Sequence, residues 1–217
     1  CTSLARFTIN SGNQFYSSDS YGVMFNKNKT ELIQYPIGNS RTSYLIPDGV
    51  TIIGYEAFAN CSNLTSVAIP DSVTSIAQYA FYGCTDITSI TIPNGVTRIN
   101  NGVFRYCESL VSVTIPDSVT DIGNQAFYSC TSLTSVTIPD SVTGIGDHAF
   151  FSCTSLTNIT IPDSVTSIGD DAFWDCSNLL SVAIGKSVTA IGDCAFDYCS
   201  KLIGAYYHGT EDDWSKI

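Results

Sequence analysis

Apolar side chains return along this chain with a fixed period of 23 residues. In the unit LTSVTIPDSVTGIGDHAFFSCTS, which begins at Leu133, the shared apolar places are 1, 4, 6, 10, 13, 17 and 18, and a cysteine stands at place 21. Seven complete units run from Arg41 to Lys201. A unit this small cannot bury its own apolar side. The period therefore predicts a solenoid in which each unit, here called a rung, stacks on its neighbours.

The pattern inside a rung predicts three short segments. Val136 and Ile138 alternate with polar residues, which indicates a strand with one buried face. Pro139 ends this strand, because proline cannot donate to a strand ladder. Places 10 and 13 predict a second extended segment, which a glycine usually ends. The spacing of Ala149–Phe150 favours a short helical turn, with the phenylalanine in the core.

The two ends of the chain depart from the period and set the predicted boundaries. Residues 1–40 form an atypical rung with an inserted β-hairpin, YGVMFNKNKTELIQY. Residues 41–201 are the seven rungs, and residues 202–217 are a partial rung or cap. The opening CTSL matches Cys130–Leu133, so we interpret Cys1 as a ladder cysteine and not as a lipid-modified residue. A chain without a starting methionine is expected to be a fragment or a processed form.

Composition and charge exclude several classes of partner. Hydrophobic residues make up 44% of the chain, enough for a sizeable core, whereas charged residues make up only 13%. The net charge is −11, and Arg98 and Arg105 are the only lysine or arginine residues between Thr42 and Gly185. Binding to nucleic acid or to an anionic membrane surface is therefore not expected. No apolar run approaches the ~18 residues of a membrane helix, so no membrane insertion is expected.

His148 is a weak candidate for catalysis. It occupies place 16, where the other rungs hold Glu56, Tyr79, Gly102, Gln125, Asp171 and Cys194. A place that accepts these residues is interpreted as a variable surface position, and the sequence shows no adjacent acid in a triad-like arrangement. We therefore expect no catalytic residue, and the protein is not expected to be an enzyme.

The repeated cysteines raise the alternatives of a metal site, disulfide bonds or buried thiols. They are Cys61, Cys84, Cys107, Cys130, Cys153, Cys176 and Cys199. A spacing of 23 residues is far from the short pairs of a zinc site, and parallel inward side chains are poorly directed for a disulfide. Buried free thiols are favoured, with no metal and no cofactor. Cys194 lies off this series and is expected to be exposed.

Aspartates recur at place 8, in Asp48, Asp71, Asp117, Asp140 and Asp163. Calcium held between rungs is one interpretation, because carboxylates are calcium ligands. The favoured interpretation is turn formation, since Pro-Asp-Ser and Pro-Asn-Gly are good turn sequences.

Two surface series are candidate binding sites. Place 19 carries aromatic residues, Tyr82, Tyr128, Phe151 and Trp174, which could bind a partner or a sugar ring, or could pack over the turns and shield the core. The outward-facing residues of the predicted strands mostly bear hydroxyl groups; among them are Thr134, Ser135, Thr137, Thr157, Asn158 and Thr160. This face could bind a partner or could serve sheet stability alone.

The unit L-x-x-V-x-I-P-x-x-V-x-x-I-x-x-x-A-F-x-x-C resembles the BspA-like, Treponema pallidum-type class of leucine-rich repeats over nearly the whole chain. The segments NQFYSSDSYGVMFNKNKTELIQYP and YYHGTEDDW also resemble parts of bacterial members. The resemblance implies a mainly-β, right-handed leucine-rich repeat superhelix with short parallel strands on its concave face. The ladder asparagine of ordinary leucine-rich repeats is missing, with serine or glycine near that point.

The resemblance also implies a function. Its members are found largely on cell surfaces and are implicated in adhesion, so we expect a non-enzymatic extracellular module that binds a protein of a host or a neighbouring cell. Anchoring by segments outside this chain is expected, and the chain itself is expected to be a monomer or a weak dimer. A glycan-binding module that uses the aromatic series and a structural spacer that displays another domain remain alternatives.

Overall fold

The computed structural model describes residues 3–215 and 217, in which stacked rungs are built of short strands and turns. The mainly-β solenoid predicted from the 23-residue period is confirmed. Cys1, interpreted above as a ladder cysteine, lies outside the described residues. In chain order the elements are β1 (Tyr16–Ser18), β2 (Met24–Asn26), β3 (Glu31–Gln34), β4 (Ser43–Leu45), β5 (Ile52–Ile53), β6 (Ser66–Ala68), β7 (Ser75–Ile76), β8 (Ser89–Thr91), β9 (Ser112–Thr114), β10 (Asp121–Ile122), β11 (Gly144–Ile145), β12 (Asn158–Ile161), β13 (Ser167–Ile168), β14 (Ser181–Ile184), β15 (Ala190–Ile191), β16 (Gly204–Tyr207) and α1 (Glu211–Trp214).

Strands pair with their equivalents one rung away. In the first strand series, β12 pairs in parallel with β14, and Asn158 lies opposite Ser181, 23 residues later. The second series has the same offset, since Gly144 of β11 lies opposite Ser167 of β13. Near the start of the chain, β2 and β3 form an antiparallel hairpin, and β3 joins the second series by pairing in parallel with β5. In the parallel sheets of the repeats, paired residues are therefore 23 positions apart, which is the period of the sequence.

The first strand series is interrupted at two points. It forms three sheets, β4–β6, β8–β9 and β12–β14–β16. The strand predicted through Val136 and Ile138 is wrong, because no strand is assigned to Ser135–Ile138. The N–H of Thr134 lies 3.3 Å from the carbonyl oxygen of Val111, whereas the N–H of Leu180 lies 2.8 Å from that of Thr157. The rungs on either side of the unassigned segment are thus held less tightly on this side.

A column of stacked phenylalanine rings explains how the strand ladder can open while the rungs stay together. Successive rings from Phe58 to Phe196 have centroids 5.0 to 5.6 Å apart. Paired strands prefer a spacing of about 4.8 Å. The buried apolar residues form one cluster along the solenoid. The ring spacing does not mark where the ladder opens, because it is 5.1 Å between Phe127 and Phe150, where strand pairing is absent, and 5.4 Å between Phe104 and Phe127, where β8 pairs with β9. The continuous core therefore holds the rungs together with or without strand pairing.

The repeated cysteines are part of this core, as predicted. Six are buried and free, Cys199 is half-buried, and Cys194 is exposed. Each ladder thiol from Cys84 onward donates a hydrogen bond to the phenylalanine carbonyl of the preceding rung, as Cys130 does to Phe104 at 3.1 Å. Burial raises the pKa of the Cys107 and Cys153 thiols to about 12. Place 21 therefore needs a small apolar side chain that can donate one hydrogen bond.

The helical turn predicted at Ala149–Phe150 is wrong. The segment consists of consecutive turns, in which the N–H of Phe151 donates to the carbonyl of His148 at 3.2 Å. Residues at places 16 and 20 have φ between 51° and 65° in all seven complete rungs, and a left-handed residue interrupts a right-handed helix. Other N–H groups of the segment donate to the next rung, as Phe150 does to Ala172 at 2.7 Å. This segment is therefore a third hydrogen-bonded series along the solenoid.

Candidate functional site

The predicted hydroxyl-rich residues share one surface. All six, Thr134, Ser135, Thr137, Thr157, Asn158 and Thr160, are exposed. In β12 exposed and buried residues alternate, which places Asn158 and Thr160 on the outer side. We define the strand face as the exposed side chains at places 2, 3 and 5 of the rungs. It includes the segment at Ser135–Ile138, where the strand ladder is open.

The strand-face residues differ in whether their polar groups form hydrogen bonds within the chain. At place 2, the hydroxyl of Thr134 donates to the carbonyl of Val111 at 3.4 Å. Asn158 accepts a hydrogen bond from Ser181 at 2.7 Å. Within the described part of the chain, the hydroxyls of Thr137 and Thr160 make no hydrogen bond. Place 2 therefore supports the sheet, while place 5 leaves its hydroxyls open to a partner.

A groove of about 810 Å³ lies on the strand face where the ladder is open. We call it the strand-face groove. Its apolar lining residues are Val136, Ile138, Ile161 and Pro162. Its polar and charged lining residues are Thr137, Asp140, Asn158, Thr160, Asp163, Ser164 and His208. The groove thus contains three of the predicted binding residues together with Asp140 and Asp163, which were considered above for calcium binding or turn formation, and His208, which the sequence did not indicate as a site residue.

Two carboxylates, Asp140 and Asp163, and the imidazole of His208 lie at the groove. Nδ1 of His208 lies 3.6 Å from Asp163, and the Lys186 ammonium lies 3.6 Å from the same carboxylate. The backbone N–H of Lys186 donates to Asp163 at 3.1 Å and is the main reason why the pKa of Asp163 is lowered. Asp140 makes no hydrogen bond or ion pair with the rest of the described chain. His208 was overlooked because it replaces the proline of place 7 in the broken last rung.

The turns predicted at place 8 are confirmed in the backbone, where the N–H of Val142 donates to the carbonyl of Pro139 at 3.0 Å. The aspartate side chains do not make the expected local hydrogen bonds, and Asp163 accepts instead from the next rung. Within residues 3–215 and 217, no group of three His, Cys, Asp or Glu side chains is arranged to hold a metal ion.

The predicted aromatic residues at place 19 belong to a longer stack. The rings of Tyr128 and Phe151 are parallel within 1° at 4.6 Å, and those of Phe151 and Trp174 are parallel within 8° at 4.4 Å. We call the whole set the aromatic ladder; its members are Tyr55, Tyr79, Tyr82, Tyr106, Tyr128, Phe151, Trp174 and Tyr198. Tyr55, Tyr79, Tyr106 and Tyr198 were missed, because they occupy places other than 19.

Arg105 interrupts the aromatic series at place 19 but joins the aromatic ladder by cation–π contacts. Its guanidinium lies 4.6 Å from the Tyr128 ring centre and 4.9 Å from that of Tyr106. Tyr106 in turn meets Tyr82 edge to face at 5.6 Å. Since Phe151 is covered by a parallel ring on each side, it presents its edge, and not a ring face, to the solvent.

His148 has an acidic neighbour, contrary to the sequence analysis. Its Nε2 lies 3.2 Å from the carboxylate of Asp171, which occupies the same place in the next rung. Stacking makes residues 23 positions apart neighbours, which a search for local motifs does not detect. Cys194 is the next residue in this stack, and its hydrogen bond to Asp197 raises the pKa of the thiol. The histidine thus faces a carboxylate, and the exposed thiol of Cys194 is not activated as a nucleophile.

A polar ladder at place 15 also escaped the sequence analysis. The N–H of Asp147 donates to Oδ1 of Asn124 at 3.1 Å, and the N–H of Asp170 donates to Oδ1 of Asp147 at 3.1 Å. The same contact joins Asp193 to Asp170 at 2.8 Å. We call this the Asx ladder. Its signal in the sequence was an unbroken run of Asn or Asp at one place, in Asn101, Asn124, Asp147, Asp170 and Asp193.

The comparisons identify the family. A model described as a BspA type leucine-rich repeat region matches residues 37–130 and 74–203, with six copies. The chain belongs to the BspA-type leucine-rich repeat family. Leucine-rich repeat solenoids are generally non-enzymatic scaffolds that bind proteins on extended surfaces. A search of curated proteins gives no match.

This BspA-type chain is also similar to solved bacterial structures. A leucine-rich repeat protein from Eubacterium ventriosum has a TM-score of 0.83 and 28% identity, covering 91% of this chain and 53% of its own. A leucine rich cell surface protein from Faecalibacterium prausnitzii has a TM-score of 0.60 and 30% identity, covering 81% and 62%. The T. pallidum leucine-rich repeat protein has a TM-score of 0.73 and 29% identity, covering 88% and 89%. The chain thus spans about half the length of the first relative and about three fifths of the second.

No helix in residues 3–215 and 217 is long and apolar enough to cross a membrane.

Proposed function

We propose that this chain is a non-enzymatic adhesion module of a bacterial surface protein, and that it binds a protein partner on the strand face. The observation that carries the proposal is the strand-face groove, which brings Thr137, Asn158 and Thr160 together over an apolar floor. Protein interfaces combine an apolar centre with a polar rim that forms hydrogen bonds, and the groove offers both, since Thr137 and Thr160 have free hydroxyls within the described chain. Host matrix proteins and proteins of neighbouring cells are the proposed partners.

The proposed extracellular location is supported by one relative. The similar structure from Faecalibacterium prausnitzii is described as a leucine rich cell surface protein. Anchoring to the cell would come from segments beyond this chain.

Glycan binding by the aromatic ladder has less support than protein binding by the strand face. A sugar ring stacks on an open aromatic face. Phe151 and Trp174 turn their faces to each other at 4.4 Å, which supports a packing role for them. A spacer role, the remaining alternative, requires no binding surface at all.

The test is a binding screen of purified chain against immobilised matrix proteins and glycans. The strand-face variant Thr137→Tyr/Thr160→Tyr fills the groove with neutral bulk. The control Thr143→Tyr/Thr166→Tyr makes the same change at exposed threonines of the same rungs on another surface. Protein binding is expected to fall at least about tenfold in the first variant and to stay unchanged in the second.

A Trp174→Leu variant distinguishes glycan binding by the aromatic ladder from protein binding by the strand face. Binding of a glycan that is lost in this variant and kept in the strand-face variant would overturn the proposal. Absence of binding to every protein in the screen would favour the spacer role instead.

A further inference from the structure

We infer that the strand-face groove binds an extended, lysine- or arginine-bearing segment of its protein partner. This inference rests on the proposed function and names the chemistry of the partner. It is carried by the distribution of charge around the strand face and by the shape of the groove.

The strand face has no positive charge of its own between Thr42 and Gly185. The two basic residues in this range lie on other surfaces of the solenoid. Arg98, which precedes the isolated bridge residue Ile99 of the second strand series, is paired with Asp121. Arg105 is packed in the aromatic ladder. No side chain of the face in this range therefore repels a basic partner, whereas Lys186, which lies outside the range, is paired with Asp163 at the groove.

Carboxylates border the strand face on both sides. One border is place 8, which follows the strands through Asp48, Asp71, Asp117, Asp140 and Asp163. The residues that precede the strands add Asp86 at place 23 and Glu108 at place 22, both in rungs before the groove, while Lys201 stands at place 23 of the last complete rung. Between Thr42 and Gly185 the charges beside the face are thus acidic, and a surface of one sign attracts partners of the opposite sign and raises their association rate.

The groove provides one specific position at which a positive charge of the partner can bind. Asp140 lies at the groove, is exposed and has no partner within the described chain. The apolar side chains of Val136 and Ile161 line the same groove. Lysine and arginine combine an aliphatic stem with a charged end, so one such side chain can cover the apolar floor and place its charge at Asp140. An extended backbone suits this site, because Thr137 and Thr160 offer free hydroxyls one rung apart.

Asp163, the second acid of the groove, already contacts a lysine of the same chain. Lys186 occupies place 8 of the last complete rung and lies 3.6 Å from Asp163. An internal lysine thus already meets one carboxylate of this border. The inferred partner would supply a cation to Asp140, one rung earlier.

The probe is a labelled peptide of about ten residues that alternates lysine and threonine, with a glutamate–threonine peptide as its counterpart. The chain is expected to bind the lysine peptide and not the glutamate peptide. Binding is expected to weaken by about tenfold between about 50 and about 300 mM salt, because exposed charges are screened.

Matched variants locate the site. Asp140→Asn removes one charge without a change of shape and is expected to weaken binding by about three- to tenfold. Asp71→Asn removes an equivalent exposed charge at place 8 outside the groove and is expected to change binding less than twofold. Thr160→Lys and Thr160→Glu place opposite charges of similar size in the groove. The lysine variant is expected to lose the peptide and the glutamate variant to keep it.

Equal losses in Asp140→Asn and Asp71→Asn would overturn the inference, because they would show general attraction to a chain of net charge −11. Complete competition by spermidine at equal charge concentration would overturn it in the same way. If the lysine peptide fails to bind while the Thr137→Tyr/Thr160→Tyr variant still loses a matrix protein, the inference fails and the proposed function stands.

Discussion

At the scale of single residues, the turns at places 16 and 20 carry backbone strain in every rung. Ser129 has φ of 55°, a region that costs a residue with a side chain roughly 1–2 kcal/mol. Gly83 and Gly102 occupy equivalent places without this cost. At Gly102 a Cβ would lie only 2.3 Å from the Tyr79 ring, so glycine is needed there for a second reason. Most rungs tolerate the strain because their turns donate hydrogen bonds to the next rung.

Replacing Ser129 by glycine is expected to stabilise the chain. The relief of strain exceeds the added entropy of the unfolded glycine, which leaves a net gain of about 0.5–1 kcal/mol. The measurement is the free energy of unfolding in urea. Ser129→Ala, which keeps a Cβ, is the matched control and should show no gain; a gain equal to that of glycine would contradict the account.

The buried thiols predict loss of stability in alkali. The pKa of Cys153 is about 12 in the folded chain, against an ordinary value of 9.0. Because the folded pKa is raised, the stability is present below pH 9 and falls as the pH rises from about 9 to about 12. Each such thiol contributes a slope of up to about 1.4 kcal/mol per pH unit. Six buried cysteines should make alkaline unfolding steep, as measured by circular dichroism in denaturant at pH 8 to 11.

The variant Cys153→Ala tests whether the buried thiols cause the fall of stability with rising pH. The variant should be less stable at pH 7 by about 1–2 kcal/mol, because it leaves a small cavity and removes one of the two hydrogen bonds that the Phe127 carbonyl accepts, the other coming from the N–H of Cys130. Its stability should then fall less steeply above pH 9. The exposed Cys194→Ala is the control. An unchanged slope in Cys153→Ala would assign alkaline unfolding to other groups.

At the scale of elements, rungs are joined by side chains as well as by strands. The Asx ladder shows how a side chain satisfies a backbone donor one rung away. Asp147→Asn keeps the acceptor for the N–H of Asp170, removes like charge and is expected to be neutral or stabilising by a few tenths of a kcal/mol. Asp147→Ala removes the acceptor and should cost about 1 kcal/mol. Thermal or urea unfolding measures both. Equal losses in the two variants would show that this acceptor does not join the rungs.

The elements also show which structural features a sequence period can predict. Period and polarity predicted the register, the core and the buried thiols, because each depends on which side a residue faces. A short helical turn was predicted at Ala149–Phe150 because the hydrogen bond from Phe150 to Ala172 in the next rung cannot be read from a single rung. The opening of the strand ladder at Ser135–Ile138 had no signal, since the sequence VTIP also follows Ser112, where a strand forms.

The candidate site was predicted less completely for a related reason. Thr137, Asn158 and Thr160 were found because they share places with other outward residues. His208 was missed because it lies in a rung that departs from the pattern. The contact of His148 with Asp171 was missed because it joins two rungs. Residues that repeat can be predicted from one unit, whereas contacts between unlike residues of different rungs require the stacked structure.

At the scale of the whole molecule, the solenoid separates its surfaces by role. The aromatic ladder and the Asx ladder use their side chains to hold rungs together. On the strand face and along its place-8 border, the hydroxyls of Thr137 and Thr160 and the carboxylate of Asp140 have no hydrogen-bond or ion-pair partner among the described residues. Function is therefore proposed to reside on that face, where side chains of several rungs act together.

The most direct test of this account is hydroxyl-radical footprinting of the chain, alone and bound to the matrix protein that it binds most tightly in the screen. Protection is predicted for His208, an exposed and oxidisable ring that lines the strand-face groove, with no change at Tyr128, Phe151 and Trp174 of the aromatic ladder. Protection of the aromatic ladder with unchanged exposure of the strand-face groove would contradict the account.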